Sequence, residues 1–391
     1  MENINLDNKN HNIFRLDRTF LFSLGYGIWL LVQLLPRVIA LQELPSQISS
    51  IGRFLGLAIA CMTIFYKSND RFKSRQILLL MVCAFILLFF NVYIAKNTRY
   101  IDIVVLLVMG INIDFKRFIR NIVSLLSFFY VAVVLLAVLH IIPSDVSYRD
   151  GSIRDTLGFR WSTWSVHGFF YIVAGLLTVR NSRMRGYEFL ILELINVFLY
   201  YKTNTRSPFL LITGLLVVTY LVKVFKVDFR KIKIVHFGFL IAIPVLLVTM
   251  YFLSKNGTKF PDINELLSGR LLLGNKAISR YGIGLLGQPI SYNSSRQIVG
   301  MAYDYIDSSY LSYLLNYGII STITFAIGWI LLQNKLFKSS NQIMWISLFF
   351  LILNGFIDPQ FIEMFYNYFI ILMSLLLSEK NVQNELLFPK K

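Results

Sequence analysis

Arg206 lies in the stretch YKTNTRSPFLL, Tyr201–Leu211, at the lip of an apolar run and beside a proline. A planar guanidinium fork surrounded by hydroxyls and an amide, here with Thr205 and Ser207 on either side, matches phosphate oxygens bidentately. The same residue type at the edge of an apolar run is also an ordinary headgroup anchor, so Arg206 needs company before it reads as chemistry. That company exists. Arg270 falls in LLSGRLLLGNKAI, Asp307 opens DSSYLSYLLNYGII, His167 follows RWSTWSV with Arg160 at that motif's head, Arg280 sits ten residues after Arg270, and Asp358 and Glu363 flank the start of the last apolar run. Arginines neutralise an anion that develops in a transition state, and a carboxylate within hydrogen-bond reach takes a proton from an attacking hydroxyl. The pattern therefore suits group transfer from an anionic leaving group.

Other chemistries have little support. The chain contains no P-loop, no HExxH and no G-x-S-x-G motif. Its four histidines are scattered at positions 11, 140, 167 and 236, and no carboxylate cluster suggests a divalent ion, so the expectation is chemistry without metal or cofactor. Cys61 and Cys83 lie inside apolar runs and read as small buried hydrophobes.

The elements that must position these groups follow from composition. Of 391 residues 56% are hydrophobic and only 15% charged, against about 45–50% and about 25% in soluble domains. Continuous apolar runs, without the alternation of barrel strands, point to an all-α polytopic integral membrane bundle. Apolar runs near 20–40, 48–66, 77–95, 100–113, 121–142, 165–179, 187–201, 207–222, 234–253, 308–333, 342–356 and 361–377 predict about twelve transmembrane helices in a single domain spanning 1–391. The net charge of +17 does not suggest nucleic acid, because the basic residues punctuate the apolar runs. Loops on one side carry 23 of the 38 Lys and Arg, which predicts a multi-pass protein of the cytoplasmic membrane with both termini cytoplasmic.

Two connections are long, 143–164 and 254–307, and both fall on the external side, as do the candidate site residues. In the second, Asp262 and Glu265 have capping-box spacing, and the apolar positions that follow predict a short amphipathic helix at the outer surface. The glycine-rich YGIGLLGQP comes after it and follows no strand, which argues against a dinucleotide site.

Three of these stretches, in order, resemble the O-antigen polymerase (Wzy-type) and O-antigen ligase superfamily: TNTRSP with Arg206, LLSGR with Arg270 followed by the glycine loop, and Asp307-Ser308 with Gly318 further on. The resemblance implies a GT-C-like membrane glycosyltransferase that polymerises polyprenyl-diphosphate-linked oligosaccharides at the outer face of the membrane. Arg206, Arg270 and Asp307 would be catalytic, and Arg160, His167, Thr205, Ser207, Arg280, Asp358 and Glu363 would contact substrate. Expected partners are the lipid-linked glycan, the bilayer and a chain-length regulator. Ligases of this family carry histidine where Asp307 stands, which favours a polymerase; a ligase and a lipid-linked oligosaccharide flippase are the alternatives.

Overall fold

A computed structural model describes residues 17–65, 89, 93, 99–149, 151–180, 183–292, 304–337 and 341–377. The chain is a multi-pass helical membrane protein. Among the described residues seven helices are long and apolar enough to cross a bilayer: Arg18–Arg37, Ser46–Phe65, Phe115–Val138, Ser162–Arg180, Arg206–Val224, Lys233–Lys255 and Ser309–Phe337. In chain order the helices are α1 (Arg18–Leu34), α2 (Ser46–Cys61), α3 (Arg99–Met109), α4 (Phe115–Val138), α5 (Ser162–Arg180), α6 (Gly186–Thr203), α7 (Arg206–Val224), α8 (Lys233–Lys255), α9 (Pro261–Leu266), α10 (Arg270–Tyr281), α11 (Ser309–Phe337) and α12 (Gln342–Ile357). The run expected at 77–95 lies outside the described residues except at two positions. The one at 100–113 forms the 11-residue α3, about 16 Å long and too short to span.

The last expected span, 361–377, is not an α-helix. It folds as two 3-10 segments, Pro359–Ile362 and Tyr368–Leu377. Its apolar residues point all round and are nearly all buried, so the segment is core and not a lipid-facing wall. The Tyr368 hydroxyl donates to the Tyr171 carbonyl at 2.8 Å, and the Ser374 hydroxyl donates to the Gly110 and Ile371 carbonyls at 3.0 and 2.7 Å.

Helices α1 and α2 touch backbone to backbone. A Cβ on Gly25 would stand 2.5 Å from the Ala60 nitrogen, and one on Gly56 would stand 2.6 Å from the Trp29 nitrogen. Small residues at such crossings let van der Waals contact replace the hydrophobic drive that lipid removes. Beside the crossing the buried Asp102 of α3 accepts two bonds from the Arg53 guanidinium, each 2.7 Å, and one from Trp29 Nε1 at 2.8 Å. All of Asp102's charge is thereby answered inside the protein.

The loop 143–164 departs from the all-helical expectation. Val146–Arg149 and Ser152–Asp155 pair as an antiparallel hairpin (β1, β2), and Val38 bridges Phe159 behind it. The long loop also differs in detail. It holds two helices, α9 and α10, and Asp262 and Glu265 form no capping box: Pro261 opens α9 and its N-cap Phe260 makes no side-chain bond.

Helix α11 breaks at Gly318, whose φ of 78° and ψ of 176° lie in a region essentially restricted to glycine. The loop after α10 fills the break. Ile319 N–H donates to the Gly284 carbonyl at 3.0 Å and Ile320 N–H to the Leu285 carbonyl at 3.1 Å. Gln288 N–H donates to the Asn316 carbonyl at 3.1 Å. Gly318 is nine residues into α11, so the glycine loop reaches about 13 Å along the bundle from the helix start. Irregular backbone at that depth persists because each freed amide finds a carbonyl within the protein. A Cβ at position 318 would also stand 2.5 Å from the Leu286 carbonyl carbon. Gly318→Ala is expected to destabilise the chain by more than about 3 kcal/mol, read as a loss of folded protein in detergent-solubilised thermal melts. Gly151→Ala, at a hairpin tip with open space around its Cβ position, serves as the milder positive-φ control.

Candidate functional site

Arg206 and Arg270 occupy equivalent places: each is the first residue of its helix, α7 and α10. The chain reaches both through left-handed backbone. Asn204 closes α6 at φ 45°, and Ser268 and Gly269 turn from α9 into α10 at φ 57° and 83°. The first backbone N–H groups of a helix carry the positive end of its dipole; in α7 Pro208 supplies none, and in α10 Arg270 N–H donates to the Leu267 carbonyl at 3.3 Å and Leu272 N–H to Asn264 Oδ1 at 3.1 Å. A cation placed there is repelled by that field, whereas an anion is drawn by both.

Arg270 and Asp307 come together, with Arg270 Nε 3.7 Å from Asp307 Oδ2 and side-chain exposures of 18% and 25%. The distance is that of a charge pair and not of a hydrogen bond, and Arg270 Nε, although buried, donates to no acceptor. Asp307 is followed by Ser308, whose hydroxyl is buried without a partner. Ser309 follows in turn, and its N–H and Oγ both donate to the Asp358 carbonyl, at 3.1 and 2.6 Å.

Asp358 ends α12 and faces His167 of α5. His167 Nε2 lies 2.7 Å from Asp358 Oδ2, with side-chain exposures of 2% and 10%. The two side chains stand at ion-pair distance, in a geometry that falls short of an aligned hydrogen bond. His167 Nδ1 is 2.8 Å from the Thr163 carbonyl, an acceptor, and therefore carries a proton. Asp358 Oδ1 also accepts from Gln360 N–H at 3.1 Å. Both nitrogens of His167 are thus engaged within the protein, and its place is to hold α5 against the Asp358–Ser309 junction.

Arg206 shares that level of the bundle. Helices α7 and α12 run antiparallel, with Gln342 at the start of α12 donating to the Val227 carbonyl just beyond α7 at 2.9 Å. Phe350 packs on Gly214, where a Cβ would come within 2.9 Å of its ring. Arg206 is eight residues before Gly214 and Asp358 eight after Phe350, so both rise about 12 Å from that contact. The Arg206 side chain is exposed and makes no hydrogen bond or ion pair among the described residues. The surrounding hydroxyls do not hold it, contrary to what TNTRSP suggests. Thr203 and Thr205 serve Arg154 of β2 instead, whose Nε donates to the Thr203 carbonyl at 2.8 Å and whose terminal nitrogen donates to Thr205 Oγ1 at 3.3 Å. Ser207 is half-buried in the first turn of α7.

The remaining expected residues are peripheral. Arg280 pairs with Asp304 at 3.1 Å on the outer surface. The Arg160 side chain is exposed, and its backbone N–H donates to the Arg37 carbonyl at 2.9 Å. Glu363 caps the Pro359–Ile362 segment half-buried. Near the Arg270–Asp307 pair the loop tyrosine Tyr292 accepts from Asn316 at 2.9 Å, and burial pushes its hydroxyl up to about 12, so it stays neutral. Among the described residues no three His, Cys, Asp or Glu gather as metal ligands. Two residues outside the expected site take structural prominence: Arg154, which clamps the turn before Arg206, and Arg37, whose guanidinium stacks on aromatic rings.

Comparison with family models, curated proteins and solved structures finds no match to this chain.

Breaking one side of a buried ion pair strands the other charge, at a cost of about 3–5 kcal/mol. His167→Gln and Asp358→Asn should each lower stability in denaturant titrations of the solubilised chain by amounts of that order. The double variant should lose clearly less than their sum. Additive losses would mean that the two side chains are not energetically coupled.

Proposed function

We propose that this chain is a membrane glycosyltransferase that polymerises polyprenyl-diphosphate-linked oligosaccharide repeat units into a bacterial surface polysaccharide at the outer face of the cytoplasmic membrane. The observation that carries the reading is the placement of Arg206 and Arg270 at the first residues of two helices. Arg206 adds charge to an end that is already positive and has no partner among the described residues, and Arg270 does so with Asp307 3.7 Å away, so an arriving anion is drawn by side chain and helix end together. A lipid diphosphate is such an anion.

In this reading an acceptor sugar hydroxyl attacks the anomeric carbon of the donor glycan. The bond from that carbon to the diphosphate oxygen breaks, and the electron pair leaves with the diphosphate. Arg206 and Arg270 stabilise the charge that accumulates there, and the hydroxyl proton passes to the Asp307 carboxylate. No metal is needed, because the leaving group is good once its charge is matched. Arg270, 3.7 Å away, balances the charge of the Asp307 carboxylate and keeps it beside the diphosphate site. His167, Asp358 and Ser309 fix the start of α11 and with it the position of Asp307.

The finer topology belongs to the same proposal: about twelve passes, both termini cytoplasmic, and a chain-length regulator as partner. Reporter fusions after Lys202 and after Asp262 should both read external, and a cytoplasmic signal at Asp262 would overturn the orientation.

The activity test is polymer formation in a strain lacking the chain, complemented at matched expression. Arg206→Ala should leave single lipid-linked repeat units, with a loss of roughly a hundredfold or more, the effect of removing about 3 kcal/mol of transition-state stabilisation. Arg206→Lys keeps the charge without the fork and should not restore polymer. Wild-type polymerisation by the lysine variant would reduce Arg206 to a generic positive charge.

A further inference from the structure

Arg37 is the unaccounted charge at this end of the bundle. It follows α1 in the short Leu35–Arg37 turn, and its guanidinium carbon lies 4.0 Å from the Phe365 ring centroid, 5.1 Å from that of Trp164 and 5.7 Å from that of Tyr366. Its Nε is buried and donates to no acceptor. Among the described residues the side chain makes no hydrogen bond or ion pair. Asp358 and Glu363 belong to the same segment as two of the rings, yet neither pairs with it, and Asp358 is committed to His167. Aromatic faces compensate a cation's lost hydration in part, but they accept none of its five N–H donors. A guanidinium held between rings, half-buried and without a carboxylate, is a preformed seat for an oxyanion.

Its surroundings place that seat beside the proposed chemistry. The segment from Asp358 to Tyr368 has Ser309, two residues after Asp307, at one end and Phe365 and Tyr366, which hold Arg37, at the other. The Arg37 backbone accepts from Arg160 N–H, and Val38 bridges Phe159, so the arginine is also tied to the external loop 143–164.

We propose that Arg37 is a third anion-binding residue, which grips a phosphate oxygen of a prenyl diphosphate through its unused donors while Trp164, Phe365 and Tyr366 hold the fork in place. This rests on the reading of the chain as acting on such a lipid. It adds a site on the far side of the Asp358–Tyr368 segment from Asp307, where a second carrier's diphosphate could be seated. The rings are contacts of the guanidinium and need not touch the ligand.

The test is direct binding to the purified full chain in zwitterionic nanodiscs, with farnesyl diphosphate as probe and farnesol, inorganic pyrophosphate and phosphatidylglycerol as comparison ligands. Arg37→Gln keeps much of the side chain's length and removes the charge. It is expected to raise the Kd for farnesyl diphosphate by about tenfold to a hundredfold, the loss of one charge-assisted contact, and to leave farnesol binding unchanged. Pyrophosphate should compete for the wild-type site. An unchanged farnesyl diphosphate Kd in Arg37→Gln overturns the proposal and leaves the polymerase reading standing, and a fall in melting temperature alongside it would identify the stack as structural. Equal displacement of the probe by phosphatidylglycerol would make Arg37 a general headgroup anchor and also overturns it. Wild-type protein that binds no farnesyl diphosphate at all would count against both readings.

Discussion

One end of this bundle depends on one buried contact, the 2.7 Å approach of His167 to Asp358. Polar groups so far from water are tolerable only if the donors and acceptors around them are used. Here the demand spreads outward. The second nitrogen of His167 takes the Thr163 carbonyl, and the second carboxylate oxygen of Asp358 takes Gln360 N–H. The Asp358 carbonyl takes both donors of Ser309. Helix α5, the end of α12, the start of α11 and the 3-10 segment after α12 are thereby fixed to one another by polar groups whose alternatives in a lipid-embedded protein are all worse.

That junction lets charges remain where they are unfavourable on their own. Arg206 stands at a helix start that repels it, Arg270 stands at another with Asp307 3.7 Å away, and Arg37 sits among rings without a carboxylate. A flexible end would relax by fraying the helices or by letting the rings around Arg37 open. Packing closes those routes: Arg154 secures the turn before Arg206, the Ser268–Gly269 turn sets Arg270 on its helix, and Phe365 and Trp164 hold Arg37. In the proposed function, binding an anion releases this strain, which is how a site becomes preorganised for charge that appears only during reaction.

The sequence was legible where one residue type has one physical use. Continuous apolar runs announced membrane helices, and most spans lie where hydropathy placed them. Gly318 and the glycine loop stood out as separate features, and the fold joins them, because a helix break at depth needs both a residue tolerant of positive φ and a loop thin enough to supply carbonyls. Arg270 and Asp307 were singled out as candidates, and the fold brings them to 3.7 Å. What was not legible involves partners distant in sequence. Nothing in LLPRVIA distinguishes Arg37 from a headgroup anchor, since its three rings come from residues 164, 365 and 366. Likewise His167 and Asp358 each read as a substrate contact, because their pairing across 191 positions leaves no local trace. The run 361–377 misled for a different reason: apolar composition does not separate a lipid-facing helix from a segment buried on every side.

Helix ends are the natural place for such chemistry in a bilayer. A transmembrane helix satisfies its own backbone along its length and offers free N–H groups only at its start. An enzyme that must bind a lipid-linked diphosphate can therefore recruit backbone donors only near the membrane surface or at a broken helix. This chain has two arginine-headed helix starts, and at its one described break, Gly318, the freed amides are already consumed by the glycine loop. The break shapes one wall of that end of the bundle, and in the proposed function the anion falls to the arginines. Arginine suits it better than lysine for a physical reason specific to this setting: its weaker hydration and fixed fork allow it to wait partly desolvated, as Arg270 and Arg37 do, without the water that an ammonium would hold.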